Sequence, residues 1–175
     1  GSCLLHAVAN AYNKHYRKGK YNNHNTLEKI KLISLWRNAM GEFFINKNIH
    51  SKLNNGELEK FSNDTGLFKN EDMYKTLKSN DWLGYGYLNY IGMCTNKDIY
   101  IIDAKTKNLY KTDEYKYSIT GRRNSVVIYY IENHFELIGI KNNKNDFITH
   151  FKHDNDFILF LKSKLWYLKI TWDGI

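Results

Sequence analysis

The sequence predicts an α+β fold, with a helical N-terminal half packed on a central, mostly antiparallel β-sheet. Three observations carry that expectation. Apolar residues recur at helical spacing through the first two-fifths of the chain, and after Trp82 the pattern changes to short strands rich in Val, Ile and Tyr. The third is bulk: 175 residues, 42% hydrophobic and 15% aromatic, supply enough apolar surface for one core and too much for a disordered chain. A single domain over residues 1–175 is therefore expected.

The elements follow in order. Cys3 to Tyr16 contains no glycine, and Leu4, Val8, Ala11 and Tyr12 fall at helical spacing, so one helix is predicted there, stopped at Lys18-Gly19-Lys20. Asn25-Thr26-Leu27-Glu28 approximates a capping box and opens a second helix with the stripe Leu27, Ile30, Ile33, Trp36 and Met40. Phe44 or Ile45, Ile49 and Leu53 extend its period to Asn54-Asn55-Gly56. A short helix capped by Asn70 carries Met73, Tyr74 and Leu77, and Tyr87 to Cys94 reads as another. Ile99 to Asp103 and Asn108 to Lys111 then read as strands about a turn. Ser125 to Ile131 is the strongest strand, being almost wholly β-branched and aromatic. Phe135 to Ile140 follows across Glu132-Asn133-His134, which predicts a hairpin. Asp154-Asn155 caps a last helix through Lys164, and Trp166 to Thr171 reads as a final strand.

Charge excludes less than its size suggests. The net value is +8, but the basic residues are 22 Lys and only 4 Arg, beside 22 Asn and no Pro, a composition that the codon supply of an AT-rich genome explains. Arginine is the usual reader of base edges, and the lysines are dispersed without a stripe, so nucleic acid is disfavoured as a partner. The densest apolar run, Phe157 to Leu161, is five residues against the ~20 a membrane helix needs, so no membrane association is expected. The start lacks the pattern of a secretory signal. Two cysteines, Cys3 and Cys94, give neither a disulfide framework nor a zinc-binding C-x-x-C pair, so an intracellular, reducing compartment is the default. No metal or other cofactor is called for. His150-x-x-His153 reads as strand and cap residues, Arg122-Arg123 as a solvated turn, and Cys94 as core.

One constellation carries chemistry. Gly1-Ser2-Cys3-Leu4-Leu5-His6-Ala7 places a cysteine at the first turn of a helix. The unpaired N–H groups and positive dipole end there favour thiolate over thiol, and the amide of Cys3, with Gly1 allowing close approach, can meet an oxyanion. Such a nucleophile needs a base. His134 sits at the junction of the two strongest strands, and Glu136, two positions on, shares its side of the strand and can orient the ring. From the residues alone, Cys3 also reads as a small core residue, and His134 with Glu136 as a solvent-facing pair at a turn.

Three segments resemble the ovarian-tumour (OTU) family of deubiquitinating cysteine proteases. Gly1 to Val8 is similar to its cysteine motif, Ile131-Glu132-Asn133-His134-Phe135-Glu136-Leu137-Ile138 to its histidine motif, and Trp82 to Ile102 to its middle block, in the family's order. The 131 positions from Cys3 to His134 suit a small OTU domain. The resemblance implies a papain-like OTU cysteine-protease fold. It implies cleavage after the C-terminal glycine of ubiquitin or a ubiquitin-like modifier through a thioester, with Cys3 as nucleophile and His134 as base and then acid. Glu136, where the family usually has Asp or Asn, would be the third member, with Asn133 as the alternative. Cys3 and Gly1 would supply the oxyanion hole, and Trp82 and Tyr85 would flank the modifier's tail.

Overall fold

The computed structural model of the protein describes residues 1–17, 27–46, 71–84, 87–112 and 123–165. Helix α1 spans Cys3–Tyr12 and α2 Lys14–Arg17. The helix predicted to run on to Tyr16 breaks at Asn13, whose backbone is extended (φ −80°, ψ 107°). Its side-chain oxygen accepts from the Tyr16 N–H at 3.1 Å, so the asparagine caps the second helix instead of continuing the first.

Helix α3 covers Leu27–Ile45 and buries Ile33, Arg37, Met40, Gly41 and Phe44. Of the predicted stripe, Ile33 and Met40 are buried and Trp36 packs on the core, but Leu27 and Ile30 are 64% and 52% exposed, and the buried face also takes in Arg37, 2% exposed. Helix α4, Glu71–Lys78, has acids in its first turn and lysines in its last, the distribution that suits its dipole. Helix α5, Leu88–Thr95, ends at Asn96 in the left-handed conformation (φ 53°), a common stop for this residue type. Helix α6, Asp156–Leu165, starts where predicted, with Asn155 Oδ1 accepting from the Phe157 N–H at 3.0 Å.

Strands β1 (Asp98–Asp103), β2 (Leu109–Lys111), β3 (Ser125–Ile131) and β4 (His134–Leu137) form one sheet in the order β2-β1-β3-β4. The outer pairs are antiparallel as expected, but the central pair is parallel, in register from Asp98 opposite Ser125 to Asp103 opposite Tyr130. The sheet is thus mostly antiparallel, as expected, with one parallel pairing at its centre. β2 folds back on the outer side of β1, leaving β3 to enter on the other side in the same direction. Both central strands are buried along most of their length because helices cover both faces. The hairpin β3–β4 turns through Glu132 and Asn133, both at positive φ (47° and 64°), as a two-residue turn between twisted strands requires. A two-stranded ladder, β5 (Ile140–Lys141) with β6 (Phe147–Ile148), lies beyond it.

Alternation along the strands divides the core. Ile99, Ile101, Val126, Ile128 and Phe135 face the layer that holds Leu4, Leu5 and Val8 of α1 with parts of α3 and α5. Tyr100, Leu109, Val127 and Phe151 face the other way, onto Ile158 and Leu161 of α6. Arg123 is 6% exposed beside the buried start of β3 and so is not part of a solvated turn. Among the described residues no helix is long and apolar enough to cross a membrane. Ile49, Leu53, Arg122 and the strand expected at Trp166 to Thr171 lie outside the described residues.

Candidate active site

Cys3 occupies the first position of α1, partly exposed and packed against the edge of the core. Ser2 is the N-cap by position, yet no side chain caps the helix. Its hydroxyl instead accepts from Arg37 Nη1 at 3.0 Å. The Ser2 carbonyl takes the first helical bond, from His6 N–H at 3.0 Å. The opening amides of α1 are consequently not occupied by a side-chain cap.

Gly1 is held on the other side. Its carbonyl accepts from the Leu83 N–H at 3.3 Å, and a Cβ there would lie 2.4 Å from the Asp81 carbonyl and the Trp82 nitrogen. Only glycine permits that approach. The next residue of the same loop, Trp82, is 46% exposed and stacks on Phe135 at 6.2 Å with 17° between the rings. A Cβ on Gly84 would fall 2.2 Å from the Trp82 ring, so Gly84 is part of the seat. Phe135 also meets Tyr130 at 4.8 Å, and the Tyr130 hydroxyl donates to Asn133 Oδ1 at 2.9 Å. A continuous line thus runs from the cysteine turn through Trp82 to the residue after His134, and α1 itself packs along β4.

The two motifs are brought to one region, but their side chains are not joined. The pleat turns Phe135 inward and leaves His134 and Glu136 exposed on the opposite side of the strand. Among the described residues, Cys3, His134 and Glu136 make no hydrogen bond with one another. Asn133, the alternative third member, is held by Tyr130 on the Phe135 side. Trp82 stands at the site; Tyr85 lies outside the described residues.

Cys94 contrasts with Cys3. Burial pushes its thiol up to about 12, with a hydrogen bond from Tyr90 pulling slightly the other way, so it stays protonated and inert. Sequence reasoning missed Arg37 and Gly84. The first had a signal, since Arg37 falls four residues after Ile33 and three before Met40, on the helix's buried face.

Two further histidines tie stability to pH. Burial and then the Lys29 charge lower the pKa of His6, whose Nδ1 meets the Tyr16 hydroxyl at 2.5 Å. Burial, followed by Lys97 and Arg17, lowers that of His150, which packs on Tyr12. The unfolded chain, with ordinary histidines near 6.5, binds more protons than the folded one below that pH. Stability is therefore complete above about pH 6.5 and lost as pH falls toward the depressed folded values. Thermal unfolding at pH 7.5 and 5.0 should give the lower Tm at pH 5.0, with the difference reduced in His6→Gln/His150→Gln. An equal or higher Tm at pH 5.0 would contradict this.

No family model matches the chain, and no curated protein sequence is similar to it. Among solved structures the chain is similar to the "Structure of Ovarian Tumor (OTU) domain in complex with Ubiquitin", with a TM-score of 0.56 and 16% identity, covering 94% of this chain and 77% of that one. The chain therefore has an OTU-like α+β fold.

Proposed function

We propose that this protein is an OTU-type cysteine peptidase that hydrolyses the peptide or isopeptide bond after the C-terminal glycine of ubiquitin or a ubiquitin-like modifier. The observation that carries the reading is a partly exposed thiol on the first turn of a helix that packs along the strand opening with His134, in a fold similar to that of an OTU domain bound to ubiquitin. The modifier's tail would pass over Trp82, which offers an exposed ring next to the cysteine turn.

His134 takes the Cys3 proton, and the thiolate adds to the scissile carbonyl, moving the carbonyl electron pair onto oxygen. The amides of the Cys3 turn meet that charge. Collapse breaks the C–N bond, and His134 returns the proton to the departing amine, leaving a thioester on Sγ. Water, deprotonated by His134, then adds to the thioester and releases the modifier's carboxylate and the thiol. Glu136, or Asn133, orients the imidazole. In the free protein His134 is solvent-facing, so the pair closes by rotation of its side chain around the end of the edge strand when the tail is bound; catalytic hydrogen bonds commonly form only in the substrate complex. Chemistry of this kind needs a reduced Cys3, hence a reducing compartment.

A second reading, a module that binds ubiquitin without cleaving it, draws on the missing bond between Cys3 and His134. Ubiquitin carrying a C-terminal electrophile separates the two. The first reading expects a covalent adduct of one ubiquitin on Cys3 by peptide mapping. A reversible complex without adduct favours the second, and neither adduct nor complex removes both.

A further inference from the structure

Arg37 lies in the middle of α3, 2% exposed, with no carboxylate bonded to its guanidinium among the described residues. Its partners are four oxygens. Nε donates to the Leu77 carbonyl at 3.1 Å, Nη2 to that of Thr76, and Nη1 to both the Asp81 carbonyl and the Ser2 hydroxyl at 3.0 Å. Thr76 and Leu77 belong to the last turn of α4, where carbonyls lack helical partners and the dipole favours a cation. That accounts for a buried charge with no carboxylate hydrogen-bonded to it, and the nearby Asp81 charge favours the cation as well. It leaves open why one arm of the fork extends to Ser2, the residue before the candidate nucleophile.

We propose that Arg37 is a positioning residue for the nucleophile turn. It fixes that turn twice over. By holding Asp81 it fixes the loop against which Gly1 is clamped, through the Leu83 N–H and the close contact with the Asp81–Trp82 peptide. By drawing the Ser2 hydroxyl to itself, it keeps that hydroxyl from capping α1, so the first amides of the helix remain available to an oxyanion. The same loop carries Trp82 onto Phe135. One planar cation thereby sets the distance between the cysteine turn and the histidine strand. Lysine cannot replace it, because an ammonium does not present a fork of five donors to four fixed acceptors.

The catalytic half of this inference rests on the function proposed above, and the test keeps the two apart. Arg37→Lys and, as a milder change, Ser2→Ala are compared with wild type by hydrogen exchange and by hydrolysis of a ubiquitin C-terminal fluorogenic amide. In Arg37→Lys, exchange of the His6 and Leu83 amides, which are bonded to the Ser2 and Gly1 carbonyls, should rise about tenfold while that of β3 and β4 is unchanged, and kcat should fall about 10- to 100-fold with KM within about twofold. Ser2→Ala, which leaves α1 uncapped but removes one of the four acceptors, should move both in the same direction by a smaller factor through loss of the tether alone, and decides the tether if Arg37→Lys does not fold. Exchange unchanged at His6 and Leu83, or raised equally throughout the sheet, overturns the positioning role whatever the activity. Looser exchange with kcat preserved overturns the catalytic half. A wild type that is never labelled or turned over removes the functional reading instead, and the exchange data still judge the clamp.

Discussion

With Cys3 replaced by alanine, hydrolysis of a ubiquitin C-terminal amide is expected to fall by at least about 10⁴-fold and covalent capture of ubiquitin electrophiles to disappear. The size follows from the absence of any substitute nucleophile: the other cysteine, Cys94, is buried with its thiol pushed up to about 12. Stability should change by no more than about 1 kcal/mol, since alanine is a good helix former and Cys3 is only partly buried. The comparison is made by steady-state hydrolysis, intact-mass labelling and thermal unfolding together. Retained turnover in a folded Cys3→Ala protein would remove the thioester mechanism.

His134→Ala should lower kcat by about 10²- to 10⁴-fold, the range for losing a general base. The His134 side chain is exposed and makes no hydrogen bond among the described residues, so unfolding should move by only about 0.5 kcal/mol. A large loss of rate with no loss of stability is the signature of chemistry. Glu136→Gln and Asn133→Ala assign the third role, because whichever loses more of kcat while KM holds orients the imidazole. If His134→Ala keeps full activity, another base serves Cys3 and the histidine motif is only a hairpin.

Much of this arrangement was legible in residue types. A run of β-branched and aromatic residues followed across a short polar turn by Phe135 can hardly be other than a hairpin, and Asn155 announces its helix by its capping chemistry. Asn13 broke a helix that periodicity carried through, because a side-chain amide can outbid the next helical turn and periodicity does not register it. The parallel pairing of β1 with β3 was not legible at all; strand direction depends on where the chain crosses, and no local pattern encodes that. At the site, the glycine and cysteine could be chosen from the sequence. The spacing of Arg37 from Ile33 and Met40 marks it as buried, but not what it does, since its four acceptors come from three separate segments that no local pattern brings together.

The packing of α1 along β4 has a consequence for synthesis. About 120 residues separate the end of that helix from the strand it lies against, so at roughly 5–20 residues per second the ribosome delivers the partner some ten seconds later. Until then Leu4, Leu5 and Val8 have no sheet to cover them, and the cysteine turn has no histidine strand beside it. The nascent chain thus carries an uncovered apolar helix face for most of its synthesis, which makes chaperone demand the hazard of its birth.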